Sequence, residues 1–220
     1  MNKLKEEFKN KIIKELKKEL NKKSFLAVPT LDKIIVNVGL GEAVNNPQVI
    51  EKVGEDISLI TGQKPLVTKA KQAISNFKIR VGLPIGLKVT LRKNRMWDFY
   101  EKLVKIVLPR VKDFRGVSRN SFDGYGNYCL GIGDYSIFSE IDPNRIDKIR
   151  SLEIIIVTTS ESNDEGRRLL GKLGMPFSKE KDLMFFDKMA ESIKKEEKER
   201  KKLKAQRMAE GKEIEERRVE

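Results

Sequence analysis

Residues 62–92 read GQKPLVTKAKQAISNFKIRVGLPIGLKVTLR, a stretch dense in Lys and Arg that contains no acidic residue. Pro65 and the group Gly82, Pro84 and Gly86 punctuate it, as Gly and Pro do at turns. Leu66–Lys69 reads as a short strand and Gly86–Arg92 as a second one returning beside it. In the second strand Leu87, Val89 and Leu91 alternate with Lys88, Thr90 and Arg92, the period of two that sends successive side chains to opposite faces. One face is greasy and the other basic, which suits a sheet with one packed and one open face. Between the strands lies an exposed basic loop, with Phe77 set among Lys69, Lys71, Lys78 and Arg80. A basic loop on a rigid sheet is suited to gripping a polyanion.

The charge of the whole chain points the same way. The 220 residues carry a net charge of +13. Residues 64–119 hold 15 Lys/Arg against 3 Asp/Glu, whereas residues 179–220 hold 14 against 12. The excess is therefore central and is not balanced by local acids as it is in a solvating helix. Such a surface favours nucleic acid or an anionic membrane as partner. There is no His, and Cys129 is the single Cys. This excludes an intrachain disulfide and removes the commonest metal ligand and the commonest general base. The start, MNKLKEEFKNKII, is charged and amphipathic, unlike a secretory signal. No run approaches the roughly 18 apolar residues of a bilayer span. A reducing, cytoplasmic setting without a membrane partner is expected.

Outward from the central stretch, further elements are legible. Leu4, Phe8, Ile12, Leu16 and Leu20 form one stripe of a helix over 2–23. In residues 31–38, Ile34, Val36 and Val38 share one face of a strand, opposite Lys33, Ile35 and Asn37. Asn46 is expected to cap a helix with Pro47 in its first position. Ile50, Val53, Ile57 and Ile60 form its buried stripe, and Gly62 ends it. Residues 95–108 form an apolar helix ended by Pro109, with Trp97 in the core. Residues 110–126 read as a long loop without structure of its own, the kind that is functional or disordered. Asn127–Gly131 reads as a short strand, followed by a turn at Pro143. Leu152–Thr159, with its run of Ile and Val, is expected to be buried on both faces or to sit centrally. Ser162 and Glu165 make a capping box for a helix closed by Gly174 and Pro176. From 179 on, the composition becomes Lys, Glu, Arg and Ala, a charged helical extension to a domain over 1–178.

Catalytic chemistry finds no foothold. Gly166–Leu173, GRRLLGKL, lacks the Ser/Thr of a phosphate-binding P-loop and lies within a helix. The pairs Gly39/Gly41 and Gly124/Gly126 lack the third glycine of a dinucleotide fingerprint. Asp113, Asp123, Asp134, Glu140, Asp142 and Asp147 show no spacing that singles out an acid/base pair or a cation site. Cys129 reads as a small buried apolar residue. No enzymatic activity, metal or cofactor is expected. Lys33, Asn37, Lys88, Thr90 and Arg92 would share one face if their strands pair. That face would join cations for phosphates to amide and hydroxyl groups for bases and 2′-hydroxyls.

The strings TLDKIIVNVGLGEA, TGQKPLVTKAKQAISNFKIRVGLPIGLKVTLR, MWDFYEKL, LPRVKDFRGV, SFDGYGNYCLGI, SLEIIIVTT and LGMPF resemble, in order from about residue 2 to 178, bacterial large-subunit ribosomal protein number five. The resemblance implies an α+β fold, an antiparallel sheet with helices packed on one face and an open RNA-binding face. It implies that this face binds 5S ribosomal RNA in the central protuberance of the large subunit, beside 23S ribosomal RNA and other large-subunit proteins. Asn37, Gln63 and Thr90 match the family's RNA-bonding Asn, Gln and Thr, with Lys33, Lys64, Lys88 and Arg92 around them. The loop of about 70–83 is implied to reach P-site tRNA through Lys69, Lys71, Gln72, Ser75, Phe77, Lys78 and Arg80. A surface of about 133–149 is implied to meet a small-subunit head protein. There this chain has Gly133–Asp134–Tyr135–Ser136 and Ser139 in place of the family's usual basic–Glu–Gln run and Pro. The extension after 178 has no counterpart in the family. A free-standing RNA chaperone is the competing reading from the residues, and an RNA-processing enzyme using acidic side chains a more distant one.

Overall fold

Alternation of apolar and polar side chains decides how the sheet is laid down. The computed structural model describes residues 3–142 and 147–178. The expected turn at Pro143 and the expected helical extension over 179–220 lie outside the described residues. Strands β1 (Leu31–Gly39), β2 (Leu66–Lys69), β3 (Pro84–Leu91), β4 (Tyr128–Ile132) and β5 (Leu152–Thr158) form a five-stranded sheet in the order β2-β3-β1-β5-β4. Every pairing is antiparallel. The register sets Val36 beside Val89 on one side and Ile154 on the other. Ile34, Val36, Val38, Leu87, Val89, Leu91, Leu152, Ile154 and Ile156 thereby share one face, and all are buried. Alternation in β5 corrects the expectation of burial on both faces: Glu153, Ile155 and Val157 are only half-buried. The β-branched run reflects the strand's place between β1 and β4.

The helices cover that one face. Helix α1 is continuous through Lys3–Glu7, a π-helical Phe8–Ile12 and Ile13–Glu19. An apolar repeat of four outruns the 3.6 residues of an α-turn, and the wider π-turns keep Leu4, Phe8, Ile12 and Leu16 in one buried line. Helix α2 (Gln48–Thr61) buries Ile50, Val53, Ile57 and Ile60, and Gly62 closes it at φ +67°. Pro47, rather than Asn46, occupies its capping position. Helix α3 runs through Lys93–Lys102, a π-helical Leu103–Val107 and Leu108–Arg110. The helix ends at Arg110, one residue beyond Pro109, close to the expected stop. Phe8 of α1 packs against Trp97 of α3 with ring centroids 5.2 Å apart, so Trp97 is core as expected.

Helix α4 (Asn163–Lys172) starts at the expected cap: the Glu165 N–H donates to the Ser162 hydroxyl. The returning bond goes from the Glu161 N–H to the Glu165 carboxylate. The segment 110–127 carries short-range order that the sequence reading missed. Asp123 accepts from the Tyr125 and Asn127 N–H groups, and Asn163 Oδ1 accepts from the Gly124 and Gly126 N–H groups. Gly126 lies directly against Gly166, where a Cβ on Gly166 would come within 2.5 Å of the Gly126 carbonyl oxygen. The glycine that suggested a P-loop is thus a packing glycine.

Candidate nucleic-acid interface

Pairing register carries side chains from distant parts of the chain into rows on the face opposite the helices. One row runs Leu66, Lys88, Asn37, Glu153 and Gly131 across all the strands. The next runs Thr90, Ile35, Ile155 and Cys129. Lys33 lies beside Val157 in a third, with Arg92 just past the end of β3. The residues expected on one face, Lys33, Asn37, Lys88, Thr90 and Arg92, are therefore brought together. No helix of the described residues covers them.

The polar groups of this face are partly engaged with one another. The Asn37 amide donates to Glu153 Oε2 at 3.1 Å, and the Cys129 thiol reaches Glu153 Oε1 at 3.4 Å. Cys129 is exposed, which corrects its reading as a buried apolar residue: β4 turns it to the open face, away from Tyr128 and Ile132. Burial, then the Glu153 bond and charge, push its thiol above the ordinary value, so it stays a protonated donor. Asp32 accepts from Arg92 at 3.3 Å and lies 3.6 Å from Lys33. Gln63, at the turn after α2, donates through Nε2 to the Thr90 carbonyl at 3.3 Å and accepts from Arg95 at 3.5 Å. It is held at the rim of the face beside Thr90, whose hydroxyl has no partner among the described residues. Glu153 and Cys129 were missed by the sequence reading. The period of two in β5, which sets Glu153, Ile155 and Val157 opposite the buried Ile154 and Ile156, was the signal for the first.

The basic loop is an ordered ribbon. It continues the β2–β3 pair through bonds between Ala70 and Leu83 at 2.8 Å and between Ile74 and Ile79 at 2.9 and 3.1 Å. A 3-10 turn, Ser75–Phe77, and Lys78 at φ +56° close its tip. Lys69, Lys71, Gln72, Ser75, Lys78 and Arg80 are exposed, and Phe77 is 70% exposed. This ribbon is a second group, distinct from the rows of the sheet. Several cations elsewhere are matched by carboxylates: Lys22 with Glu165, Lys102 with Glu140, Arg150 with Glu42 and Lys172 with Glu19. By contrast Lys64, Lys69, Lys71, Lys78, Arg80 and Lys88 have no carboxylate partner among the described residues. The ribbon and the adjoining end of the sheet thus carry positive charge that no described carboxylate balances, and it attracts anions.

The segment after β4 is tied to α2 and its preceding turn. The Tyr135 hydroxyl donates to Asp56 at 3.1 Å, and Arg150 Nε donates to Glu42 at 2.6 Å. The Arg150 guanidinium holds the Glu42 carboxyl below its usual range. The described residues contain no cluster of three or more potential metal ligands. Asp123 accepts from the N–H groups of its own turn, Asp147 pairs with Lys52 and Glu140 with Lys102.

Comparison with known proteins matches this sequence to one family. A model described as ribosomal protein L5 matches residues 24–80, and one describing the C-terminus of the same ribosomal family matches residues 84–177. The chain is also 51% identical over 179 residues to a protein named large ribosomal subunit protein uL5 from Caldanaerobacter subterraneus subsp. tengcongensis. That match covers 81% of this chain and 100% of the relative.

Proposed function

The chain belongs to the ribosomal protein L5 family, and we propose that, as a structural, non-catalytic constituent of the large ribosomal subunit, it holds 5S ribosomal RNA on its open sheet face. The observation that carries this reading is the uncovered row of Lys88, Asn37 and Glu153 beside Thr90 and Lys33. Its amide and hydroxyl groups are placed to bond bases and 2′-hydroxyls, and Lys33, Lys64, Lys88 and Arg92 to bond phosphates. Gln63, clamped between Thr90 and Arg95, presents its remaining amide hydrogen at the rim. Direct protein–RNA bonds of this kind need no reacting group, so the work done is docking and positioning.

The ribbon over 70–83 is the second functional element. Its ordered tip can carry Lys71, Gln72, Ser75, Phe77, Lys78 and Arg80, with Lys69 at its base, to the backbone of P-site tRNA. Phe77 supplies an apolar surface among phosphate-seeking cations. The segment near 133–149 would meet a small-subunit head protein. Its described part is anchored through Tyr135 and Arg150. Contacts with 23S ribosomal RNA and the other proteins of the central protuberance complete the proposed setting.

The test is binding of the full chain to 5S RNA and to an unrelated folded RNA at two salt concentrations. Asn37→Ala is expected to weaken 5S binding by roughly five- to tenfold, the worth of one hydrogen bond of about 1–1.4 kcal/mol, and the unrelated RNA less than about twofold. Equal losses on both RNAs would sink the specific reading and leave a general RNA chaperone.

A further inference from the structure

Strand β2 lies at the end of the sheet order. Its inner edge pairs with β3, and among the described residues no strand pairs with its outer edge. A bare edge offers unpaired N–H and C=O groups to another extended chain. Beside it, between β2 and α2, runs a groove of about 870 Å³ whose lining includes Ile50, Pro65 and Leu87. Val67 and Leu59 stand in it 38% and 56% exposed. Glu51 and Glu55 line it too, both exposed and without a cation partner among the described residues.

Gly54 sits in the lining as well. Glycine inside a helix costs about 1 kcal/mol relative to alanine. Here a Cβ would meet Pro65 and Leu87 at 3.8 and 3.9 Å, ordinary contact distances, and the backbone is not left-handed. The chain's own packing does not call for glycine at this position.

We infer that the β2 edge and this groove receive an extended segment of a neighbouring protein, rich in Lys/Arg and in apolar residues, added as a further strand. The partner follows from charge. Two unpaired carboxylates repel an RNA backbone, although most of this chain's surface attracts one. A second copy of the chain would bring Lys64 and Lys69, which bracket β2, against their counterparts. Like charges across paired strands are destabilising. A segment whose cations are set against Glu51 and Glu55, and not against Lys64 or Lys69, meets neither obstacle. Its backbone extends the sheet, its apolar side chains cover Val67 and Leu59, and its cations reach Glu51 and Glu55. The inference uses only the chain's place in the large subunit and holds whichever RNA the open face binds.

Two measurements test it. In intact large subunits carrying the full chain with Val67→p-benzoylphenylalanine, irradiation is expected to yield a crosslink to one protein segment containing Lys/Arg and apolar residues. A crosslink to RNA alone, to a second copy, or to nothing would overturn the inference. In solution, the nine-residue peptide Val-Ser-Lys-Ser-Val-Ser-Lys-Ser-Val, whose Val and Lys side chains share one face of a strand, is expected to shift the amide resonances of Leu66–Lys69 and of residues 51–59. The same peptide with Glu for Lys is expected not to. Glu51→Lys with Glu55→Lys is expected to weaken the basic peptide at least about fivefold, from two surface ion pairs of about 0.5 kcal/mol each, while 5S RNA binding is retained. Equal binding of both peptides would count against it. Retained RNA binding keeps such a failure separate from any failure of the sheet-face reading.

Discussion

Glu153→Gln is expected to strengthen 5S RNA binding, although it removes a charged group from the centre of the proposed interface. Glu153 follows Lys88 and Asn37 in one row of the open face and is half-buried. A phosphate lying about 7 Å from its carboxylate meets a repulsion of about 0.6 kcal/mol in bulk water and about 2.4 kcal/mol at an effective dielectric near 20. A half-exposed sheet face lies between these limits. The gain is then about 1 kcal/mol, or roughly fivefold in Kd. Glutamine keeps the shape and an oxygen that accepts the Asn37 amide, now 3.1 Å from Glu153, so the row is not rearranged. The assay is fluorescence anisotropy with labelled 5S RNA and the full chain, beginning at about 0.1 M salt, where the screening length is about 10 Å. The gain is expected to shrink as salt rises. Lys88→Gln, on the other side of Asn37, is expected to move affinity the opposite way and to reduce the salt slope by somewhat less than 1. An unchanged Kd for Glu153→Gln would mean that no phosphate lies over this row. A weakened one would mean that the carboxylate itself accepts a bond from the RNA. Either result defeats the repulsion argument.

Cys129 offers a footprint of the same face: its raised pKa keeps little thiolate at pH 8, so iodoacetamide is expected to modify the folded chain roughly several-fold more slowly than the unfolded one. Bound 5S RNA should slow it further, and an unaltered rate with RNA bound would place the RNA elsewhere. Gly166→Ala would drive a Cβ to 2.5 Å from the Gly126 carbonyl oxygen and 2.9 Å from its Cα. An overpacking cost of about 2–3 kcal/mol is expected, a fall in Tm of about 5–10 °C, and an unchanged melting curve would contradict the packing assigned to that glycine. Glu42, whose folded pKa lies below its ordinary 4.5, stabilises the fold above that value and loses the contribution as pH falls through the folded pKa. Glu42→Gln should therefore lower stability at pH 7 and flatten the acid limb of thermal unfolding between pH 3 and 7. A parallel limb would show that Arg150 does not depend on Glu42.

How far the sequence speaks depends on whether a contact is local. The alternation in β1 and β3 put Asn37 on the polar face of one strand and Lys88 and Thr90 on that of the other, to share a face if the strands pair, because side-chain direction in a strand is a property of the strand itself. The stripes of α1 and α2 and the Ser162 cap were legible for the same reason. What failed depended on partners far along the chain. Cys129 looked buried among aromatic residues, yet the register of β4 against β5 turns it outward beside Glu153. Asp123, one of six carboxylates to which the sequence assigned no role, accepts from the N–H groups of its own turn. Gly166 acquired its meaning only from Gly126. Gln63 entered through family resemblance alone. Its tie to the Thr90 carbonyl depends on α2 ending beside β3, which no short pattern announces.

The two faces of the sheet make the case for a docked polyanion more strongly than net charge does. An antiparallel sheet with one wet face normally alternates apolar with freely solvated polar residues. Here the uncovered face keeps Ile35, Ile155 and Val157 half-buried between polar side chains, and Leu66 70% exposed in the row of Lys88 and Asn37. Apolar side chains mixed with an amide, a hydroxyl and cations would leave polar groups unpaired beneath a covering helix, at a cost of about 1–3 kcal/mol for each buried one. A ribose–phosphate surface has no such conflict. On the proposed reading sugars would cover the aliphatic groups, 2′-hydroxyls and base edges would meet Asn37 and Thr90, and phosphates would meet Lys33 and Lys88. The alternation that builds the protein core on one side of β1 and β3 thus builds, on the other, a surface whose second layer is best made of RNA.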